Sequence, residues 1–403
     1  EIAPIFEDSN LATDHNQLTM DVLRRTAEKY GLVCLLHEKP FAGINGSGKH
    51  NNWSMSTDAG ENLLEPGQTP HDNAQFLVFC VAVIRAVAKY PELLRVSVAS
   101  AGNDHRLGAN EAPPAIISIF LGAQLQDIME QLEKGKPEKT LPGGFMEVGA
   151  SVLPKLPRDA GDRNRTSPFA FTGNKFEFRA VGSSAPIYWP QTVLNTAVAD
   201  SLADLADALE RLTPGDFDGL QAVLSGIVKE NKQVLFEGNG YSEEWHKEAA
   251  KRGLPNNRTT VDALPALETA KAKAVFSKFG VLSERELEAR AEINWERYVK
   301  VVNIEANVAV DIARTLVLPA AIRYLGQLAA AGSSKGVGAI ASQVGGLTDD
   351  LVKAIEALEK AQRAAHGAGS LHAEAKAFAS KVIPAQATLR EVVDALETVV
   401  ADD

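Results

Sequence analysis

Proline is distributed unevenly along this chain, and that distribution limits where long helices can form. Of the 19 prolines, 14 lie within residues 1–200 and 5 lie beyond them. Because proline cannot donate a backbone hydrogen bond and interrupts a helix interior, helices in the first half are confined to the stretches between prolines, where short apolar runs alternate with polar loops. From Trp189 onward, apolar residues recur at helical spacing in segments such as SLADLADALERL and LVKAIEALEKAQRAAH. The pattern predicts a mixed first half and a helical second half.

The first half alternates apolar runs of strand length with amphipathic stretches. The strand-length runs are Leu32–His37, Ala115–Leu121 and Lys175–Val181. The helical patterns are Asp14–Tyr30, which Gly31 would terminate, and Asp72–Tyr90. These elements predict an α+β fold with helices packed on a sheet over residues 1–200, followed by a helical C-terminal region over residues 201–403.

The length and charge of the chain exclude several classes of protein. At 403 residues it exceeds a single core of about 250 to 300 residues, so roughly two folded units are expected. Its 41 basic and 52 acidic side chains give a net charge of -11, which opposes binding to nucleic acid. No apolar run approaches the roughly 18 residues that a membrane span requires. Neither nucleic acid nor a membrane is therefore an expected partner.

The two cysteines indicate a reducing compartment. Cys34 and Cys80 lie in the apolar runs LVCLLH and FLVFCVAV, and neither a Cys-x-x-Cys pair nor a secretory signal accompanies them. Both are predicted to be buried free thiols, which favours a cytoplasmic location.

The segment KPFAGINGSGKHNNWS, residues 39–54, combines a glycine-rich turn with polar side chains. It meets most of the phosphate-loop pattern G-x-x-x-x-G-K, but His50 stands where that pattern needs Ser or Thr to hold Mg²⁺, so we reject a phosphate loop. In an extended chain His50, Asn52 and Ser54 would share one face and offer an imidazole, an amide and a hydroxyl. The alternative is an ordinary surface histidine in a hairpin turn.

The segment GNDHRLGANEAPP, residues 102–114, contains too many turn-forming residues to predict a helix or a strand. It would expose Arg106, which can hold a carboxylate through two parallel hydrogen bonds. It would also expose Glu111, which can serve as an acid, a base or a gate. A solvated turn with ordinary surface charges would have the same composition.

A third group of charged residues lies between Asp162 and Arg179. DRNRTSPFAF contributes Arg165, and KFEFR alternates Lys175, Glu177 and Arg179 with two phenylalanines. In a strand the charged side chains project from one face and the phenylalanines from the other, although a salt-bridged exposed face would alternate in the same way. Cations gathered near metal-type ligands in an acidic protein indicate that phosphate and carboxylate charge is neutralised during phosphoryl transfer.

These segments resemble the glutamine synthetase family, and specifically its large type III branch. Residues 39–54 match the type III pattern K-P-F-A-G-[IV]-N-G-S-G-K-H-N-N-W-S throughout. Residues 106–113 resemble the family's R-L-x-P-G-x-E-A-P, with one fewer residue between the arginine and the glutamate. NRTS at 164–167 resembles the family's N-R-S-A, and KFEFR at 175–179 resembles its R-x-E-x-R strand. The opening EIAPIF resembles the segment that follows the paired metal glutamates of the family.

The resemblance implies a mainly antiparallel catalytic sheet and a role for each candidate residue. The metal ligands would be Glu1, His50 and Glu177. Glutamate would be bound by Asn45, Gly46, Arg106 and Arg179, and the nucleotide by Phe6, Asn52, Ser54, Arg165 and Lys175. The catalytic residues would be Arg106, Arg165 and Glu111, the last closing over the acyl phosphate. Two family positions differ here, because Asn52 replaces a histidine and Ala170 an arginine.

The reaction implied by the resemblance is condensation of L-glutamate with ammonia to give L-glutamine through a γ-glutamyl phosphate. It uses ATP and two Mg²⁺ or Mn²⁺ ions per complete site, in a homo-oligomer expected to be a ring-based dodecamer. The E-x-E metal strand and the N-terminal β-grasp domain of the family have no counterpart here, so the chain by itself is expected to be inactive. The alternatives are a related glutamate–amine ligase and a non-catalytic assembly or nitrogen-sensing protein.

Overall fold

A computed structural model describes residues 4–109, 112–135, 137–141, 145–146, 156–157, 164, 166–332 and 334–401. The chain divides into two compact units, residues 1–284 and residues 285–403. The predicted catalytic region, residues 1–200, falls within the first unit, and its boundary at residue 200 stays a prediction. No helix in the described ranges is both long enough and apolar enough to cross a membrane.

The first unit contains a four-stranded sheet and a separate two-stranded ribbon. The strands are β1 (Asn51–Trp53), β2 (Ile119–Phe120), β3 (Phe145–Met146), β4 (Leu156–Pro157), β5 (Phe169–Phe171) and β6 (Phe176–Phe178). The sheet has the order β1-β6-β5-β2, and β3 pairs with β4 in the ribbon. Strand β6 is antiparallel to both β1 and β5, whereas β2 is parallel to β5. The predicted α+β fold with a mainly antiparallel sheet is confirmed.

Two of the three predicted strands are present in shortened form, and the third prediction is wrong. The run at Ala115–Leu121 contains β2, and the run at Lys175–Val181 contains β6. Residues 32–37 form no strand, and Leu32 and Val33 are 65% and 84% exposed. Apolar side chains favour a strand only where a neighbouring strand supplies backbone hydrogen bonds and a surface to pack against. Among the described residues, no strand of either sheet pairs with this run.

The first two predicted helices are confirmed, and further helices complete the first unit. These helices are α1 (Ser9–Lys29), α2 (Ala74–Lys89), α3 (Pro91–Ser97), α4 (Ala101–Arg106), α5 (Ala123–Lys134), α6 (Tyr188–Leu209), α7 (Phe217–Asn231), α8 (Glu243–Lys251), α9 (Thr260–Ala263) and α10 (Ala270–Lys278). Helix α1 begins earlier than predicted because the Asp8 side chain accepts a hydrogen bond from the Asn10 amide. It ends before Gly31, whose φ of 69° favours glycine.

Helix α4 contradicts the prediction that residues 102–114 contain no helix. The Ser100 side chain accepts a hydrogen bond from the Asn103 amide and so caps the helix at its first turn. This cap and the burial of Ala101, Asn103 and Arg106 outweigh the low helix propensity of the segment. Arg106 is consequently fixed on a helix rather than displayed on a turn.

The core of the first unit lies against one face of the sheet. The rings of Phe169 and Phe176 stack with their centroids 4.9 Å apart. Phe76 of α2 contacts Phe171 edge-on, with centroids 5.8 Å apart, and so joins the helix layer to the sheet. Because side chains alternate along a strand, the burial of these phenylalanines leaves the charged residues of β6 on the opposite face.

A group of charged side chains joins α2, α6 and α10. The Asp200 carboxylate accepts hydrogen bonds from Lys89 Nζ at 2.6 Å, Lys278 Nζ at 2.7 Å and the Tyr90 hydroxyl at 2.6 Å. Burial by itself would raise the pKa of Asp200, but the hydrogen bonds from Lys278, Lys89 and Tyr90 lower it to about 2. The ionised carboxylate therefore stabilises the folded state.

We expect Asp200 to contribute about 2 kcal/mol of stability above pH 4 and to lose it as the pH falls through 2. The sign follows because the native pKa is depressed to about 2 from 3.8 in the unfolded chain. Urea unfolding from pH 7 downward should show that Asp200→Asn has a lower free energy of unfolding than the wild type. This free energy should also change less as the pH falls. The exposed Asp58→Asn is the control. Equal acid dependence in the wild type and Asp200→Asn would contradict the assignment.

The second unit is helical, as predicted for the C-terminal region. Its helices are α11 (Glu284–Ile312), α12 (Leu318–Ala330), α13 (Lys335–His366), α14 (Leu371–Ala377) and α15 (Ile383–Glu397). Wider π-helical turns at Ala313–Val317 and Phe378–Val382 precede Pro319 and Pro384. Each proline lacks one backbone N–H, and the wider turn accommodates the missing hydrogen bond without ending the helix.

The two cysteines differ in burial. Cys80 is fully buried in α2, and this burial raises the pKa of its thiol to about 12. Cys34 is also a free thiol but is only half-buried, because the run that contains it is largely exposed. The prediction of a buried free thiol is therefore correct for Cys80 and wrong for Cys34.

Candidate active site

Candidate residues from β1 and β6 lie on the face of the sheet opposite the phenylalanine core. Asn52 lies directly opposite Glu177 in the antiparallel register. His50 and Ser54 stand two residues on either side of Asn52 and so share its face. Asn51 and Trp53 are buried on the other side, while Asn52 and Glu177 are half-buried. The predicted alternation of charged and aromatic residues along KFEFR is observed.

His50, Glu177 and Arg179 form the centre of this face. His50 Nδ1 lies 2.8 Å from Glu177 Oε1, although the two residues are 127 positions apart in the sequence. Arg179 Nε and Nη2 donate to Glu177 Oε2 at 3.0 and 2.9 Å. Burial would raise the pKa of Glu177, but the hydrogen bond from His50 and the charge of Arg179 lower it to about 2. The carboxylate is thus ionised and able to hold a cation.

Lys175 and Phe6 lie toward one end of the same face. Lys175 Nζ is 4.9 Å from the centroid of the Phe6 ring, a distance typical of a cation–π interaction. Ser54 Oγ donates to the carbonyl of Asn174, the residue before Lys175, at 3.3 Å. Three predicted nucleotide-binding residues therefore lie near one another, and Phe6 is 64% exposed.

Arg106 is buried, so the prediction that its side chain is exposed was wrong. The residue is 1% exposed. Its guanidinium donates to the carbonyls of Arg179 at 3.1 Å and Val181 at 3.2 Å, and to Asn103 Oδ1 at 3.3 Å. Helix α4 causes this burial because it directs Arg106 toward the end of β6. A role of Arg106 in binding a carboxylate stays a prediction.

Gly48 leaves the space that Arg106 occupies beside the glycine-rich loop. A β-carbon at position 48 would lie 1.8 Å from Arg106 Nη2 and 2.5 Å from Cζ. The buried guanidinium cannot move aside without losing hydrogen bonds to backbone carbonyls. We expect Gly48→Ala to destabilise the first unit by about 1 to 3 kcal/mol, measured by urea unfolding.

Gly226→Ala is a matched control for this substitution. Gly226 lies within α7, and an added β-carbon there would meet no atom within 4 Å. Alanine should stabilise that helix by about 0.5 to 1 kcal/mol. A Gly48→Ala variant as stable as the wild type would mean that Arg106 relaxes freely and that the close approach has no structural importance.

Asn45 and Gly46 lie in the loop between Lys39 and Gly48. Asn45 is exposed and Gly46 half-buried. Lys39 Nζ donates to the Ile44 carbonyl at 2.5 Å across the loop. The loop rejoins the sheet where Gly48 bridges to Gly182. Its outer part is therefore open to solvent, and its base is held beside the end of β6.

Three predicted site residues, Glu1, Glu111 and Arg165, lie outside the described residues. The neighbouring Asn164 is described, and its carbonyl accepts a hydrogen bond from Arg179 Nη1. Its side-chain amide donates to the Gly238 carbonyl at 2.6 Å. The backbone at residue 164 is therefore anchored against the guanidinium that also holds Glu177.

His50 and Glu177 provide an imidazole nitrogen and a carboxylate oxygen, donors that divalent cations accept. Within the described ranges, no group of three or more His, Cys, Asp or Glu side chains is arranged to hold a metal ion. The donor chemistry of the pair fits Mg²⁺ or Mn²⁺, and other ligands would have to complete the coordination.

Two buried polar residues behind the site, Glu38 and Asn103, were not predicted from the sequence. Asn103 is fully buried, and its Nδ2 donates to the carbonyls of Val98 at 2.7 Å and Ala180 at 2.9 Å. Glu38 is 3% exposed and accepts hydrogen bonds from Ser184. Both residue types are common on surfaces. Only the packing of distant segments identifies them, and no local sequence signal does.

Comparison with known proteins gives consistent matches. Residues 1–116 match the family described as glutamine synthetase, catalytic domain, and residues 219–335 match the glutamine synthetase C-terminal domain. A Dictyostelium discoideum protein named type-3 glutamine synthetase is 51% identical over 328 residues, which are 80% of this chain and 44% of that protein. A glutamine synthetase of Bacteroides fragilis (strain YCH46) is 46% identical over 339 residues, 81% of this chain and 46% of that protein.

The chain therefore spans a little under half the length of these curated relatives. Among solved structures, one described as apo GmaS without ligand covers 69% of this chain and 53% of its own, with 19% identity and a TM-score of 0.38.

Proposed function

This chain belongs to the glutamine synthetase family, and we propose that it forms part of an ATP-dependent ligase that condenses L-glutamate with ammonia to give L-glutamine. The observation that carries the proposal is the 2.8 Å contact between His50 and Glu177, with Arg179 bonded to the same carboxylate. An imidazole, an ionised carboxylate and a guanidinium on one sheet face can gather a cation and an anionic substrate. Such a site suits a reaction that must bring two anions together.

His50 and Glu177 would hold one divalent ion, Mg²⁺ or Mn²⁺, and Glu1 would contribute to the site of a second. Bound ions would supply charge neutralisation of the phosphates. The role of Arg179 is to keep Glu177 ionised and to fix its orientation through two hydrogen bonds. The carboxylate would therefore need little rearrangement when a cation arrives.

Glutamate would lie between the glycine-rich loop and the end of β6. Arg106 and Arg179 would bind its carboxylates, and the backbone near Asn45 and Gly46 would hold its amino-acid end. The side-chain carboxylate would attack the γ-phosphorus of ATP, giving γ-glutamyl phosphate and ADP, and ammonia would then displace phosphate. Because Arg106 bonds to backbone carbonyls here, the substrate would have to replace at least one of these partners.

ATP would occupy the end of the face where Phe6 and Lys175 meet. The grouping is supported by the 4.9 Å separation of Lys175 Nζ from the Phe6 ring. The residues proposed to contact the nucleotide are Phe6 beside the base, Asn52 and Ser54 on the sheet face, and Arg165 and Lys175 at the phosphates. Glu111 would close over the acyl phosphate, exclude water and help ammonium lose its proton.

The complete gene product that contains these 403 residues would act in the cytoplasm as a homo-oligomer, and we propose a ring-based dodecamer. Its partners would be glutamate, ammonia and ATP, and neither nucleic acid nor a membrane would be required. Size-exclusion chromatography with light scattering tests the assembly separately from the activity.

The direct test is product formation by that complete gene product. With glutamate, ammonium, ATP and Mg²⁺ or Mn²⁺, it should release glutamine, ADP and phosphate in equal amounts, which chromatography and a phosphate assay measure. Faster turnover with methylamine than with ammonium would instead indicate a related glutamate–amine ligase. ATP hydrolysis without any amide product would contradict both. The 403-residue chain by itself should turn over at least about a hundredfold more slowly, because among the described residues of the sheet face only His50 and Glu177 are brought together as metal-type ligands.

A further inference from the structure

Glu38 is a buried carboxylate at the start of the glycine-rich loop. It is 3% exposed. Its Oε1 accepts hydrogen bonds from the Ser184 amide at 3.3 Å and from the Ser184 hydroxyl. Burying a carboxylate is unfavourable unless hydrogen bonds or an opposite charge replace its lost hydration. The position therefore requires specific partners, and Ser184 supplies two of them.

Two glycines from different segments leave the space for this carboxylate. A β-carbon at Gly182 would lie 2.8 Å from Glu38 Oε1, and a β-carbon at Gly102 would lie 2.8 Å from Glu38 Oε2. The Glu38 side chain consequently sits where the loop stem, helix α4 and the turn after β6 meet.

The far end of the loop is attached to the same turn. The Lys49 amide donates to the Val181 carbonyl at 2.9 Å, and Lys49 Nζ donates to the Ala185 carbonyl at 2.8 Å. Burial lowers the pKa of Lys49, and the negative charge of Glu38 opposes that effect. The Ser47 amide also donates to the Glu38 carbonyl at 2.8 Å, which closes the loop on itself. Both ends of residues 38–49 are therefore held by residues 181–185.

We infer that Glu38 is a positioning residue that, through Ser184, holds the loop bearing Asn45 and Gly46 in register with Glu177 and Arg179 on β6. The turn at 181–185 follows β6 directly, so any movement of the loop stem relative to this turn also moves the loop relative to the sheet face. The inference deepens the proposed function, on which it rests, because that loop would bind the amino-acid end of glutamate. Lys175 and Phe6, at the proposed ATP position, do not depend on this attachment.

The first test measures the attachment without any assumption about activity. Hydrogen exchange of the Ser47 and Lys49 amides should be at least about tenfold faster in Ser184→Ala and in Glu38→Ala than in the wild-type chain, since a hydrogen bond to a charged group is lost. Ser183→Ala is the matched control, because it leaves the Ser184 hydroxyl in place. Unchanged exchange in a folded Ser184→Ala variant would overturn the inference, even if Glu38→Ala failed to fold.

The second test uses the complete gene product. Ser184→Ala should raise the KM for glutamate about tenfold and change the KM for ATP less than about twofold. A merely structural role would lower the amount of active enzyme, and hence the apparent kcat, without moving either KM. Equal rises in both KM values, or no rise in either, would overturn the positioning role. If the wild-type product formed no glutamine, the proposed function would fail. The exchange experiment would still test whether Glu38 holds the loop through Ser184.

Discussion

Replacing Glu177 with alanine should lower glutamine formation by the complete gene product at least about a hundredfold and should also destabilise the fold. The loss of activity follows because a proposed metal ligand disappears, and about 2.7 kcal/mol of lost transition-state stabilisation corresponds to a hundredfold change in rate. The loss of stability has a separate cause. The Arg179 side chain is only 4% exposed, and removal of its carboxylate partner would leave a buried guanidinium uncompensated, at a cost of about 3 kcal/mol.

His50→Ala separates these two effects. The His50 side chain is 47% exposed, so its loss should impair cation binding and activity with little change in unfolding free energy. Urea unfolding, Mg²⁺ titration and a glutamine assay should be carried out on both variants, with the exposed Glu230→Ala on α7 as the control. Near-normal activity in Glu177→Ala would remove Glu177 from the metal site. Equal destabilisation by both substitutions would mean that His50 is a structural residue.

The convergence of His50 and Glu177 could be predicted from the sequence because both belong to simple strand patterns. Period-two alternation in KFEFR places Glu177 opposite the phenylalanines, whose burial follows from their apolar character. The same spacing puts His50 on the face of Asn52, which pairs with Glu177. The pairing of β1 with β6 was not predicted, since the family resemblance implied only that His50 and Glu177 hold the same metal ion.

The failed predictions concern residues whose environment depends on distant segments. Arg106 was expected on an exposed turn because charged residues are usually solvated. It is buried because carbonyls of Arg179 and Val181, more than 70 positions away, accept its hydrogen bonds. Leu32 and Val33 were expected in a strand because they belong to an apolar run of strand length, yet they lie outside any strand and are exposed. Composition gives the average preference of a residue type, whereas tertiary contacts determine the individual case.

Local capping explains the error at α4. Glycine and asparagine at positions 102 and 103 indicate a turn by propensity alone, but the Ser100 cap adds a hydrogen bond and the buried face of the helix adds packing. The roles of Glu1, Glu111 and Arg165 remain predictions, since these residues lie outside the described ranges. Their test is kinetic, through alanine substitutions in the complete gene product.

Replacing Asp104 with alanine should destabilise the first unit by about 3 to 5 kcal/mol, although Asp104 contacts none of the residues at the centre of the sheet face. The Asp104 carboxylate accepts hydrogen bonds from the Thr260 amide at 2.7 Å and the Thr260 hydroxyl at 2.9 Å. It also lies 3.4 Å from Arg95 Nη2, and the Arg95 side chain is 2% exposed. Removing the carboxylate would leave a buried cation without its counter-charge.

The effect should reach the candidate site because Asp104 is on α4, between Asn103 and Arg106. These two neighbours donate hydrogen bonds to the carbonyls of Ala180 and Val181 at the end of β6. Thr260, on α9, thereby helps to hold the helix that supports the sheet face. Residues beyond position 200 thus contribute to the geometry of a site whose predicted residues all lie before it.

A double-mutant cycle distinguishes loss of the ion pair from general disruption of α4. If the penalty in Asp104→Ala arises from the uncompensated guanidinium, combining it with Arg95→Met should cost about 1 to 3 kcal/mol less than the sum of the two single substitutions. Thr260→Val, which removes a hydroxyl but leaves the amide donor, should cost only about 1 kcal/mol. Strict additivity of the Asp104 and Arg95 substitutions in urea unfolding would show that the two charges act independently. The stabilisation of α4 would then come from the hydrogen bonds between Asp104 and Thr260 alone.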